Sequence, residues 1–265
     1  MWIDTHAHLD DPRFDADRDQ VIVRAREAQV SGILTCGAGL DSSAQAVALR
    51  EQYGDVWAAV GVHPHEAKSL CQGEAEAYRV LPEALDNIEV LSREAGVVAI
   101  GEIGLDYHYD LSPRPAQRQA LAAQLALASA RGLPVVLHCR EAEDDLMAIV
   151  DAAPAGLRGV LHSFMGSERL AAWALARGFY LGVTGFITFP KTETLARIVA
   201  AAPLDRLLVE TDCPYLAPHP FRGRRNEPAM VTFVAERLAQ VRAMPLTELA
   251  AATTANAKEL FGALG

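Results

Sequence analysis

Short apolar runs alternate with longer amphipathic stretches from one end of this 265-residue chain to the other. Eight runs read as strands, at residues 2–8, 32–37, 56–63, 97–105, 134–140, 159–164, 179–184 and 207–212. Between them, helical patterns occupy 17–29, 42–52, 75–92, 117–131, 141–152, 168–176 and 193–201, and after the last strand 228–242 and 245–261. The repeat averages roughly 33 residues, the length of a right-handed βαβ crossover unit. Runs such as Val97-Val98-Ala99-Ile100 and Pro134-Val135-Val136-Leu137 are almost uninterruptedly apolar. Strands buried on both faces by helices have this pattern, and parallel sheets are built that way. Eight such units close most simply into an α/β (β/α)8 TIM barrel. The runner-up is an open doubly wound sheet, but no GxGxxG follows the first strand, which weakens a dinucleotide-binding version of it. No Pro/Gly/Ser-rich linker divides the chain, so residues 1–265 are expected to form a single domain. The most irregular stretch, 214–228, follows strand eight, on the face where barrel enzymes place their sites.

Polar residues that pack poorly in a core fall at the C-terminal ends of these runs. His6 and His8 close the first; residues i and i+2 of a strand face the same way, so both imidazoles aim at one point. Glu102 sits in strand four, His138 ends strand five, His162 ends strand six and Asp212 ends strand eight. Left unpaired in a barrel mouth, six such groups would cost several kcal/mol in desolvation, a cost that divalent metals remove. Four histidines and two carboxylates suffice for two ions if one carboxylate bridges. Imidazole-rich sites favour zinc or manganese, while carboxylates and waters keep magnesium open. Two neighbouring ions can share a hydroxide and clamp both attacking and leaving oxygens.

No window approaches a membrane span, and the first residues carry neither a basic region nor an apolar signal segment, so a membrane protein or a secreted one is not expected. Cys36, Cys71, Cys139 and Cys213 form no CxxC pair, and three of them follow apolar runs. Reduced, buried thiols and a cytoplasmic location are expected. The formal net charge of −10 argues against a generic nucleic-acid coat protein. It leaves room for a local basic rim and for a site whose metals supply the positive charge.

The motifs together resemble the TatD-type metal-dependent deoxyribonucleases, within the amidohydrolase-like barrels. The resemblance covers essentially the whole chain. It is carried by Asp4-Thr5-His6-Ala7-His8-Leu9, Gly61-Val62-His63-Pro64-His65, Gly101-Glu102-Ile103-Gly104-Leu105-Asp106-Tyr107, Leu137-His138-Cys139-Arg140 and His162-Ser163-Phe164. Glu210-Thr211-Asp212-Cys213-Pro214-Tyr215-Leu216-Ala217-Pro218, the 222–228 loop and Asn256-Ala257-Lys258-Glu259-Leu260-Phe261 complete it. The glutamate of strand four and the motif after strand eight are the most specific. The resemblance implies that His6, His8 and Asp212 hold one ion, that His138 and His162 hold a second, and that Glu102 bridges them. Asp212 would also shuttle the proton of the attacking water, making Asp212 and Glu102 the catalytic pair. His63, His65 and Glu210 match further motif positions; phosphate or a third metal would suit them, as would hydrogen bonding to the ligands. The chain departs from the usual pattern at Met165 and Leu121, neither of which touches a proposed ligand.

The implied activity is hydrolysis of DNA phosphodiester bonds by metal-activated water, of 3′–5′ exonuclease type, with single-stranded DNA or 3′ ends as substrate and Mn2+, Mg2+ or Zn2+ as cofactor. Another amidohydrolase-like activity, such as a lactonase, phosphotriesterase or amidase, is the alternative, and a catalytically dead binding barrel is a third. The last fares worst because no ligand is missing. Many two-metal amidohydrolases bridge their ions with a carboxylated lysine on strand four. The three lysines here, Lys68, Lys191 and Lys258, lie elsewhere, and Glu102 takes that place. Arg140, Lys191, Arg222, Arg224 and Arg225 fall after strand ends or in loops on the expected active face, where guanidinium forks suit phosphate oxygens. Tyr107, Tyr109 and Phe221 are candidates for stacking bases, with ordinary aromatic packing as the alternative. No protein partner is implied, and the monomer is the default.

Overall fold

The computed structural model describes residues 1–262. Its principal sheet has eight strands in chain order: β1 (Trp2–Ala7), β2 (Val30–Cys36), β3 (Val56–Val60), β4 (Val97–Asp106), β5 (Val135–Arg140), β6 (Gly159–Leu161), β7 (Tyr180–Val183) and β8 (Leu207–Val209). The pairs β1–β2, β3–β4, β4–β5 and β7–β8 run parallel. Helices follow the strands: α1 (Arg18–Glu27), α2 (Leu40–Gln52), α3 (Ala67–Leu70), α4 (Pro82–Leu91), α5 (Arg114–Arg131), α6 (Glu143–Ala152), α7 (Glu168–Ala176), α8 (Glu193–Ala201), α9 (Val231–Val241) and α10 (Leu246–Phe261). Element order and sheet order are those of a (β/α)8 TIM barrel.

Every residue of β1, β3 and β4 is buried, which is why these segments read as apolar runs without alternation. The polar residues among them are placed by specific bonds. Asp4, fully buried, accepts the Thr211 hydroxyl at 2.6 Å and the Thr211 backbone N–H at 2.8 Å. Burial pushes its carboxyl up to about 8.

One expected helix is wrong at its start. The first residues of the 75–92 pattern form the turn and second strand of a short antiparallel hairpin, Cys71–Gln72 with Arg79–Val80, and only then does α4 begin. Gly73 and Ala75 both carry positive φ, and Pro82 at the first helical turn sets where the helix begins. The expected strands 56–63, 159–164 and 207–212 also stop early, at Val60, Leu161 and Val209.

By packing, the chain forms two compact units. The first holds Met1–Thr35, Tyr53–Val56 and the described residues from Leu161 to Gly262; the second holds Cys36–Gln52 and Trp57–Val160. Within the first, an isolated parallel bridge joins Ala7 to Cys213 beyond the end of β8. Within the second, the β4–β5 register sets Gly104 opposite His138 and Asp106 opposite Arg140. All four cysteines are free; Cys36, Cys71 and Cys213 are buried and Cys139 is partly so. Among the described residues, no helix is long and apolar enough to cross a membrane.

Candidate metal centre

In the first unit, backbone pairing past the strand ends brings His6, His8 and Asp212 together. The Asp212 N–H donates to the His6 carbonyl at 2.9 Å, and the His8 N–H to the Cys213 carbonyl at 2.8 Å. Asp212 itself adopts a left-handed backbone, φ 57°, a conformation that aspartate tolerates better than most residues. His6 Nε2 lies 3.2 Å from His8 Nε2, and Asp212 Oδ1 lies 3.5 Å from His8 Nε2 and 3.9 Å from His6 Nε2. Donor atoms bound at 2.0–2.2 Å to one ion sit roughly 3.0–3.6 Å apart. Two of the three separations fall in that range and the third, His6 to Asp212, is wider, so the trio has the donor chemistry of a divalent-metal site and needs only a small closure to hold an ion. His162 joins it: its ring stacks on His6 at a centroid distance of 3.4 Å, with Nε2 3.7 Å from Asp212 Oδ1. Burial alone would raise the Asp212 carboxyl, but the imidazoles around it, His162 foremost, hold it below its ordinary range.

Glu210 supports this cluster from beneath. It is fully buried, and its Oε1 lies 2.8 Å from His162 Nδ1 and accepts the Ser163 N–H at 2.6 Å. The Ser163 contact is a hydrogen bond to the backbone, and the His162 contact is a carboxylate–imidazole pair. Gly182 makes room for it: a Cβ there would stand 2.4 Å from Glu210 Oε2.

The second unit holds another set. His63, Glu102 and His138 offer ligand atoms to one point. Glu102 Oε1 lies 2.9 Å from His138 Nδ1 and 3.5 Å from His63 Nε2. The Glu102 N–H donates to the Gly37 carbonyl and the His63 N–H to the Ala38 carbonyl, so both residues hang on the turn after β2. Burial lowers His63 to about 4, against the opposing pull of Glu102, so at neutral pH it is an uncharged imidazole, the form a metal binds. Close passage of β4 and β5 depends on Gly104, whose φ is 148° and whose Cβ would meet the His138 carbonyl at 2.0 Å.

His65 lies outside that trio. Its Nε2 stands 3.0 Å from Asp106 Oδ2, and His138 Nε2 stands 3.0 Å from the same oxygen. The other oxygen of Asp106 accepts the N–H groups of His108 and Tyr109 at 3.0 and 2.8 Å. Burial would raise this carboxyl, but His138, the Tyr109 N–H and His65 together hold it well below the usual range. Asp106 is the site residue that lies within the Gly101–Tyr107 motif without an expected role. Its signal was present, since residues 102, 104 and 106 share one face of an extended strand.

Of the expected phosphate-binding arginines, Arg222 and Arg224 are exposed, with the Arg222 guanidinium 4.2 Å above the Phe189 ring. Arg140 lies 4.7 Å over the Tyr109 ring. Arg225 is committed elsewhere: both of its terminal nitrogens donate to the Asp17 carboxylate at 2.7 Å. Its fork is occupied within the protein, which counts against the phosphate contact expected for it.

The family model for TatD related DNase matches residues 3–262. An uncharacterized metal-dependent hydrolase, YabD of Bacillus subtilis, is 40% identical over 98% of this chain and 99% of its own length. The 3'-5' ssDNA/RNA exonuclease TatD of Cronobacter sakazakii is 40% identical over 97% of each chain. Among solved structures, the TatD homologue YJJV of Escherichia coli K12 superposes with a TM-score of 0.88 at 33% identity, covering 98% of both chains. The chain therefore belongs to the TatD family and is a metal-dependent hydrolase.

Proposed function

We propose that this protein removes nucleotides from the 3′ end of single-stranded DNA or RNA by hydrolysing phosphodiester bonds. The observation that carries the reading is the presence of two ligand sets, His6–His8–Asp212 and His63–Glu102–His138, in a chain 40% identical to a protein named as a 3'-5' ssDNA/RNA exonuclease. Each set would hold a divalent ion, manganese, magnesium or zinc. Glu102 would be the ligand common to both ions, as the motif resemblance implies. The resemblance puts His162 with His138 on the second ion, whereas here His162 lies 3.7 Å from Asp212 and His63 joins His138 and Glu102. Bound divalent ions supply charge that neutralises a phosphate and lowers the pKa of water.

The protein's own groups do the rest. Asp212, kept ionised by the imidazoles around it, accepts the proton of the attacking water at its carboxylate. Glu210 fixes the orientation of His162, and Asp106 that of His138. Arg222 and Arg224 contact flanking phosphates by charge-assisted hydrogen bonds. The protein acts as one domain and as a monomer, with nucleic acid as its substrate partner, and its four free cysteines suit the reducing cytoplasm.

The test is a substrate panel on metal-loaded protein: single-stranded DNA, RNA, a lactone, an amide and a phosphotriester. Hydrolysis of the nucleic acids well above the other substrates is expected. Turnover of a lactone, amide or triester with intact DNA and RNA would refute the reading.

A further inference from the structure

We infer that Tyr109 is a stacking shelf for an unpaired nucleobase, with Arg140 beneath it to hold the adjoining phosphate; the inference rests on the nuclease reading above. The three aromatic residues named above as stacking candidates differ in what they already do; a fourth near the ligands, Tyr215, carries the Arg13 guanidinium at 4.3 Å, and that arginine is itself paired with Asp11. The Tyr107 hydroxyl donates to Asp145 at 2.5 Å, and its ring carries the Arg114 guanidinium at 4.3 Å. Phe221 packs against Phe233 at a ring-centroid distance of 5.1 Å. Tyr109 is 54% exposed, and its hydroxyl has no hydrogen-bond partner among the described residues. Exposing that much aromatic surface gives up the apolar burial that normally rewards such a ring.

The ring is nonetheless held firmly. The Tyr109 N–H donates to the buried Asp106 carboxylate at 2.8 Å. The rings of His65 and His108 meet it edge-on, at centroid distances of 5.6 and 4.9 Å and interplanar angles of 87° and 83°. The Arg140 guanidinium lies against one face of it at 4.7 Å and makes no ion pair among the described residues. A rigid aromatic ring over an uncommitted guanidinium is the pairing that single-stranded nucleic acid meets on its binding platforms, where any base can use its π-face. The ring is also in the right place. His65 separates it from His63 of the ligand set, 4.3 Å further on by centroids. One nucleotide can thus keep its base on Tyr109 and its phosphate at the metal ligands. A base inside a duplex is stacked on both faces and tied to its partner strand, so it cannot swing onto the ring, and the shelf favours single strands.

The experiment compares single strands that end in an ordinary nucleotide or in an abasic one, cleaved by wild-type protein and by Tyr109→Ala, Tyr109→Phe and Tyr109→Trp. Stacking on an aromatic residue corresponds to a KM advantage of about 5- to 150-fold for the base-bearing end. That advantage should persist in the Phe and Trp variants and collapse in the Ala variant, with kcat changing less than KM. Quenching of a terminal 2-aminopurine by metal-free protein should show the same order without any turnover. If Tyr109→Ala keeps the full preference and the full quenching, the shelf is wrong while the nuclease reading stands. If no variant and no wild-type protein cleaves any nucleic acid, both fall.

Discussion

Glu210 Oε1 stands 2.8 Å from His162 Nδ1 and accepts the Ser163 N–H at 2.6 Å, so one buried oxygen orients a candidate ligand and fixes the turn that follows it. Glu210→Ala should weaken metal binding by about 10- to 100-fold, the usual effect of removing such a support. It should also cost about 1 kcal/mol of stability by removing the acceptor of the partly buried Ser163 N–H. Gly182→Ala should act by the same route, because its methyl would displace the Glu210 carboxylate. Calorimetric metal titration beside denaturant unfolding checks both variants; unchanged metal affinity in both would remove Glu210 from the site.

Glu102→Ala should lose metal from the His63–Glu102–His138 set and nearly all activity, yet remain folded. Glu102 is 2% exposed and its Oε1 faces the imidazoles of His63 and His138, so its contribution is to the ions, whereas folding energy resides in the apolar strands and helices. Elemental analysis of the purified variant gives the metal content, and circular dichroism the fold. Full metal content in the variant would contradict this assignment.

Reconstitution after chelation should need metal alone. A carboxylated lysine requires carbon dioxide to re-form, but the strand-four position here is a glutamate and none of Lys68, Lys191 and Lys258 is near it in sequence. Activity recovered in buffer purged of carbon dioxide should equal that recovered with bicarbonate. A bicarbonate requirement would show that the bridge is not Glu102.

Asp17 gives a stability signal separate from the metal ligands. Hydrogen bonds from Arg225 and then Arg24 lower its carboxyl to about 2, below the ordinary 3.8. Its stabilisation is therefore fully present above the unfolded value and is lost as pH falls through the folded one. Asp17→Asn should lower Tm at pH 7, and the difference from wild type should shrink as pH falls from about 4 towards 2. Partial exposure of the pair keeps the effect small. A difference that stays constant over that window would rule out the ionic origin.

The fold was readable because β1, β3 and β4 are buried throughout and leave an apolar imprint in the sequence that no loop imitates. Ligand types were readable for the same reason: an imidazole or carboxylate closing an apolar run has few structural uses. Strand ends were less readable. Asp212 leaves the extended conformation at φ 57°, so the strand stops short of the residue that the apolar run suggests as its end. The 75–92 helix failed because helical composition at Ala75–Ala77 was overridden by turn geometry at Gly73 and by Pro82. The commitment of Arg225 to Asp17, 208 residues apart, leaves no local trace, and only the tertiary structure distinguishes it from its neighbours Arg222 and Arg224.

The central claim is metal-dependent removal of nucleotides from a 3′ end, and a 5′-labelled single strand tests it most directly. Metal-free protein is titrated with manganese while the products are resolved by length. The account predicts a ladder that shortens one nucleotide at a time from the 3′ end, absent without metal and saturating as metal binds. An intact strand of both DNA and RNA at metal saturation, in a preparation that turns over a lactone or phosphotriester, would contradict it.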